Sequence, residues 1–218
     1  NGQGGTQNGN IAVNIDTTPR DLVGAITVVS DANNDGIINN SEFAQNEAVV
    51  VQVALGDDAV VGSVINVNGT DYSVTDTDLS QGYITANIIN TNQGTLNIVA
   101  QAIDAEGNVD KSTASISIDT IARDLLGEVV IVSDANGDGT LNASEIAADG
   151  TITVQVGLGS DVQVDDVITV NGIDHTVTDN DTTQGYIEVD VLTSGQGSFN
   201  IEASAVDSEG NVDSNTST

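Results

Sequence analysis

Asp31, Asn33, Asp35, Asn39 and Glu42 place side-chain oxygens at the first, third, fifth, ninth and twelfth positions of a twelve-residue stretch, with Gly36 at the sixth. Asp134, Asn136, Asp138, Asn142 and Glu145 repeat the pattern around Gly139, with Thr140 at the seventh position. This is the ligand spacing of an EF-hand calcium loop. Ca²⁺ is a hard ion that takes six to eight oxygens at roughly 2.3–2.6 Å. In such a loop alternate side chains of a tight coil supply the first ligands, and glycine permits the sharp turn. The seventh residue, Ile37 or Thr140, offers its backbone carbonyl. Asn39 and Asn142 act through a water, and Glu42 and Glu145 close the shell with both carboxylate oxygens. Two matches in register make Ca²⁺ the expected ligand.

The segments that must position these loops are not the helices of an ordinary EF-hand. Ala25–Val29 and its counterpart Glu128–Val132 are rich in β-branched residues and read as strands. Only Ser41 to Ala48 has the composition of a helical turn. The expectation is a calcium loop carried by a β-domain, without the helix pair that swings open in a sensor.

The loops sit in a longer duplication. Asp16–Ser115 aligns with Asp119–Thr218 without a gap at a constant offset of 103, and roughly half of the positions are identical. Length and repeat together give two domains, 1–118 and 119–218, with 113/114 as the alternative boundary and residues 1–10 as a Gly/Asn/Gln-rich lead. Within the first copy strands are expected at Ile11–Ile15, Ala25–Val29, Val49–Leu55, Val64–Val67, Asp71–Val74, Tyr83–Ile89, Thr95–Ala102 and Thr113–Ile118. Asn68-Gly69 and Asn171-Gly172 are two-residue hairpin signals. The fold class is therefore all-β, two tandem immunoglobulin-like sandwiches, each with an inserted EF-hand-like calcium loop.

Composition restricts function. There are 33 acidic and three basic residues, giving a formal charge of −30. Phosphate recognition needs clustered Lys and Arg, so nucleic acid is not an expected partner, and an anionic membrane would repel the chain. Apolar residues make up 38% of the chain, enough for a packed core. With two Phe, three Tyr and no Trp, that core must be aliphatic. Cysteine is absent, which removes disulfides and thiolate metal sites. No apolar run approaches the ~20 residues of a membrane span. With neither an initiator Met nor a signal-peptide pattern, the chain reads as a fragment of something longer. It is expected to be a monomer. The single histidine, His175, has no Cys or partnered Ser with which to build a nucleophilic triad, and it aligns with Tyr72. Carboxylate pairs are numerous, but the aromatic platforms of a glycosidase are nearly missing. No enzyme activity is expected.

A second acidic constellation, Asp104, Glu106, Asn108 and Asp110, recurs as Asp207, Glu209, Asn211 and Asp213. Grouped with the junction residues Asp119 and Asp124, the first set forms a candidate interdomain calcium site; the alternative is a solvated hairpin turn, for which Gly-Asn is usual. Asp76-Thr77-Asp78, Asp179-Asn180-Asp181, Asp57-Asp58 and Ser160-Asp161 read as plain acidic turns.

Taken together, Ile15-Asp16-Thr17-Thr18-Pro19, the Asp104-x-Glu106-Gly107-Asn108-Val109 motif and the Asp-x-Asn-x-Asp-Gly loops resemble the tandem bacterial Ig-like repeats of giant calcium-dependent RTX-type surface adhesins. The resemblance covers nearly the whole chain. Pro19 becomes Ala122 in the second copy, and the glycine-rich nonapeptides of an RTX region are missing. The resemblance implies an extender module, exported by type I secretion to the bacterial surface, that projects a distal binding domain for attachment or biofilm formation. Its partners would be neighbouring repeats, and calcium at the junctions would stiffen the string. Two rivals remain at this stage: a ligand-binding adhesin domain recognising a glycan or protein, and an acidic halophilic domain without a specific calcium role.

Overall fold

The computed structural model describes residues 13–44, 48–89, 92–193 and 195–217. The expected lead at 1–10 lies outside these residues, as do the first two residues of the expected strand at 11–15. Val13 and Ile15 are exposed and irregular, with no strand at 13–15.

The chain divides into two compact units. The first holds residues up to Ser30, the stretch to 89 that starts with the third strand, and Leu96–Ser115. The second holds the segment starting at Asp31 and ending before the third strand, a short piece ending at Thr95, and everything from Ile116 onward. The elements in chain order are β1 (Val23–Val28), β2 (Ile37–Ile38), β3 (Ala48–Leu55), β4 (Val64–Val67), β5 (Thr70–Ser73), α1 (Asp76–Gln81), β6 (Tyr83–Ile89), β7 (Gly94–Ile103) and β8 (Val109–Ile118). There follow β9 (Leu126–Ile131), β10 (Thr151–Leu158), β11 (Val167–Val170), β12 (Ile173–Thr176), α2 (Asp179–Gln184), β13 (Tyr186–Leu192), β14 (Ile201–Val206) and β15 (Val212–Ser217). β8 runs through the alternative boundary at 113/114 and ends at the 118/119 boundary, and the units part at its residues Ser115 and Ile116.

Each unit has two antiparallel sheets. In the first, β1-β3-β6 forms one sheet and β8-β7-β4-β5 the other; in the second, the orders are β9-β10-β13 and β15-β14-β11-β12. Alternation dictates what lies between them. In β3, Val49, Val51 and Val53 are buried on alternate positions after a buried Ala48; in β10 the buried residues are Ile152, Val154 and Val156. Side chains two apart share a face, so a β-branched run with polar interruptions buries one face only. The second core joins Val129, Val154 and Ile187 of one sheet to Ile168, Ile201 and Ala203 of the other. This is an aliphatic β-sandwich of immunoglobulin-like architecture.

The hairpins follow from local chemistry. Asn68 and Asn171 have φ of 46°, and Gly69 and Gly172 have φ of 91° and 81°. Positive φ at both central residues is the turn whose twist matches paired strands. Asp76–Asp78 and Asp179–Asp181, read as turns, are instead the first turns of α1 and α2. Thr75 accepts from the Asp78 N–H, and Asp78 accepts from the Thr75 N–H, a reciprocal capping box repeated by Thr178 and Asp181. The Thr-x-x-Asp spacing carried that signal in the sequence. In place of the expected helical turn after Ser41 there is a single hydrogen-bonded turn, closed by the Glu42 N–H to Asn39 O bond (3.2 Å), and residues 45–47 are outside the described set.

Candidate metal centre

The two twelve-residue loops share much of their internal hydrogen bonding. In the first, Asp31 Oδ1 accepts from the Asp35 N–H at 3.1 Å and Oδ2 from the Gly36 N–H at 3.1 Å. Asn33 Oδ1 also accepts from the Asp35 N–H (3.0 Å), and Asp35 Oδ1 from the Ile37 N–H (2.8 Å). Glu42 reaches back across the loop, taking the Ala32 N–H on Oε1 and the Asn39 N–H on Oε2, each at 3.1 Å. In the second, Asp134 accepts from Gly137 and Gly139, Asn136 from Asp138, Asp138 from Thr140, and Glu145 from Asn142. Gly36 and Gly139 have φ of 86° and 75°, the left-handed region that the coil needs at its sixth position.

The donor set fits a hard cation. Every position that would face the ion carries oxygen: carboxylate, amide or peptide carbonyl. A carboxylate oxygen has two acceptor sites, so one N–H bond leaves the other for a cation. Peptide groups alternate in direction along an extended strand. The C=O groups of Gly36 and Ile38 accept from the Ser117 and Asp119 N–H groups of and beyond β8 (3.2 and 3.0 Å). The peptide groups of Ile37 therefore face the other way, into the loop, where its N–H already meets Asp35. That is the side a seventh-position carbonyl ligand must occupy. Among the described residues no three Asp, Glu or His side chains converge on one point. Each loop's three carboxylates are turned to backbone N–H donors, and the rest of the oxygen at its ligand positions is amide or peptide.

The second acidic motif does something different in the fold. Asp110 Oδ2 accepts from both the Leu22 and Val23 N–H groups at 2.7 and 2.8 Å, and Asp104 Oδ2 from the Arg20 N–H at 3.3 Å. Asp213 Oδ2 holds the Leu125 and Leu126 N–H groups at 2.8 Å, and Asp207 Oδ2 the Arg123 N–H at 3.1 Å. Asn108 donates to Thr18 O, and Asn211 to Asp119 O. Sequence reading grouped Asp104, Glu106, Asn108 and Asp110 with Asp119 and Asp124. The hydrogen bonds instead join Asp104 and Asp110 to residues 20–23, and Asp207 and Asp213 to residues 123–126. Each motif clamps the backbone that enters the first strand of its own sandwich. Glu106 and Glu209 use their N–H groups to bond Asp104 and Asp207 across the turn (3.1 Å each).

The carboxyl of Asp104 sits below its ordinary range: partial burial works against ionisation, but the Asn108, Arg20 and Glu106 hydrogen bonds outweigh it. Asp124 is lowered by the Ser160 backbone and hydroxyl donors. Asp161 holds the Asp124 N–H at 3.1 Å, as Asp58 holds the Asp21 N–H at 3.1 Å. Arg123 donates to the Asp161 carbonyl and lies 4.0 Å from Asp166.

Because Leu125 and Leu126 are buried, losing their shared acceptor strands two amides. Asp213→Ala should lower the stability of the second unit by about 2 kcal/mol, read by urea melts.

His175 is bound by Asp181, Nε2 to Oδ2 at 3.0 Å. Asp181 is buried at 6% exposure. Burial opposes its ionisation most strongly, yet bonds from His175 and Thr178 and the His175 charge leave its pKa below the ordinary value. A carboxylate with a lowered folded pKa contributes fully above the unfolded value, about 3.9, and loses the contribution as pH falls through the folded value. Asp181→Asn should therefore cost about 1 kcal/mol at pH 7, with the gap to the parent chain closing as melts are taken from pH 5 to pH 3.

No helix among the described residues is long and apolar enough to cross a membrane. No family model and no curated protein matches the chain. Solved structures do. A Ca²⁺-stabilised adhesin that helps an Antarctic bacterium reach out and bind ice is 23% identical over 92% of this chain and 48% of that one, with a TM-score of 0.48. A 1.5-MDa bacterial ice-binding adhesin, studied for host cell surface retention, is 22% identical over 88% of this chain and 62% of its own, with a TM-score of 0.41. The fibronectin(III)-like modules of Clostridium thermocellum CbhA are 16% identical over 88% of this chain and 90% of theirs, with a TM-score of 0.39. The chain spans about half of the first and under two thirds of the second, and each of these is a likeness of β architecture.

Proposed function

We propose that this chain is a calcium-stabilised spacer from a bacterial surface adhesin, a passive extender that works outside the cell and stands beside further repeats of its own kind. The observation that carries the reading is the duplicated oxygen loop, twice built on a cysteine-free sandwich whose formal charge is −30. A chain so acidic repels itself, and cations held in fixed cages offset that repulsion. Calcium would be held by Asp31, Asn33, Asp35, Ile37 O, Asn39 and Glu42, and by Asp134, Asn136, Asp138, Thr140 O, Asn142 and Glu145. Bound there, it supplies charge neutralisation and loop rigidity. The weak affinity of outside-cell modules, 10⁻⁴–10⁻³ M, suits a millimolar extracellular ion.

Isothermal calorimetry tests this directly. Two loop sites should titrate, and Glu42→Gln or Glu145→Gln should each remove one. Heats that those variants leave unchanged would show the loops to be bystanders.

A further inference from the structure

The first loop lies between β1 and β3 in sequence, yet it belongs to the second unit. Its environment shows why. Ile38 is completely buried, Asn39 nearly so at 4%, and Asn211 is exposed by 2%. β2 pairs in parallel with the last two residues of β8, Ile37 opposite Ser117 and Ile38 opposite Ile118. The Asn40 N–H donates to Asn211 Oδ1 at 3.1 Å, while Asn211 Nδ2 donates to Asp119 O at 3.1 Å. Asn39 presses against Gly210 so closely that a methyl group there would lie 2.7 Å from its amide nitrogen. The equivalent residue of the other loop, Asn142, is exposed, and the segment around it forms no strand. That loop also belongs to the second unit, where Leu141 and Ile146 pack on the core.

β2 thus has two working edges. On one, the N–H groups of Gly36, Ile37 and Asn39 are held by Asp31, Asp35 and Glu42, three of the calcium-loop carboxylates. On the other, the C=O groups of Gly36 and Ile38 receive the Ser117 and Asp119 N–H groups. Whatever fixes the three carboxylates fixes both edges.

From this we infer that calcium in loop 31–42 is a stabilising ligand of the second unit, with Asn211 as the residue that reads its occupancy. The inference rests on the calcium reading above and goes beyond it. The loop that precedes β3 in sequence reports to the fold that begins at Ile116, and the second unit receives the effect of both cages. Coupling of this kind is reciprocal: if the ion orders the contact, the contact must tighten the ion.

The experiment uses the full chain carrying Glu145→Gln, so that only the first loop titrates. Amide hydrogen exchange should slow at least tenfold at Ser117 and Asp119 when 10 mM CaCl₂ replaces EGTA, and adding Glu42→Gln should abolish the slowing. Calorimetry on the same background should show Asn211→Ala weakening calcium on the order of 5–10-fold. Asn211→Asp, which keeps the acceptor for Asn40, should recover part of that loss, and Asn108→Ala should change nothing. Calcium that protects residues 31–42 but leaves Ser117 and Asp119 untouched overturns the coupling while sparing the calcium site. Absence of any heat in the Glu145→Gln chain overturns both.

Discussion

Chelation will unfold the second unit well below the temperature at which it melts in calcium. At 10 mM ion and a Kd near 10⁻⁴ M, a site adds about 2.7 kcal/mol, so two loops supply about 5 kcal/mol. For a unit of roughly a hundred residues that is a fall in Tm on the order of 20 °C or more. Circular dichroism melts in 10 mM CaCl₂ and in EGTA measure it. The ion must be specific. If acidity served only to keep the chain soluble in brine, molar NaCl with EGTA would restore the melt, because screening acts on all exposed carboxylates alike. A cage of fixed oxygens predicts that NaCl restores only a small part. Coincident melts in calcium and EGTA would defeat the spacer reading at its root. A calcium-dependent fold also suits a chain that crosses an export channel unfolded and becomes rigid outside, which is the proposed role's physical motive.

The second large effect needs no metal. Gly159 follows β10 directly and lies against the entering segment of its sandwich, where a methyl group would come within 2.2 Å of Asp124 O. Gly56 stands in the same relation to Asp21 O at 2.4 Å. The obstacle is backbone, fixed by the Gly159 N–H to Leu125 O and Asp161 N–H to Asp124 O bonds at 3.0 and 2.9 Å. Gly159→Ala must push that segment away and weaken those bonds. The expected loss is about 3 kcal/mol, larger than the gain from stiffening the unfolded chain. Gly157→Ala is the control: its methyl group would meet its nearest neighbour at 3.3 Å, an approach that small shifts relieve. Thermal melts should show Gly159→Ala far below the parent and Gly157→Ala close to it. Equal melts for the two variants would mean that the junction is soft and the clamp of Asp207 and Asp213 sets little.

Most of the sandwich was legible because its signals are local. β4 and β6 fall where β-branched alternation puts them, and both Asn-Gly turns adopt the positive φ that the pair permits. The coiled path of the loops was legible too, since alternate side-chain oxygens hold its N–H groups and a glycine at the sixth place takes the positive φ. Other features depended on partners distant in sequence. Val13 and Ile15 have strand-like composition but are exposed and outside any strand. A strand without a partner leaves its hydrogen bonds unmade, so propensity alone could not hold it. The Thr-x-x-Asp pairs were visible as spacing, yet only their reciprocal bonds show that they start helices.

Fold class, the duplication at 103 residues and the oxygen chemistry of the loops are all written in neighbouring side chains. Where the carboxylates act depends on partners that folding brings from far along the chain. Asp104 and Asp110 align with Asp207 and Asp213, and nothing in their spacing says which backbone they hold; the fold brings each pair to amides more than eighty residues earlier. It likewise turned two chemically matched loops into unequal ones, burying Asn39 against Gly210 while leaving Asn142 in solvent. Identical residues acquire different roles when one copy finds a packed partner and the other meets water.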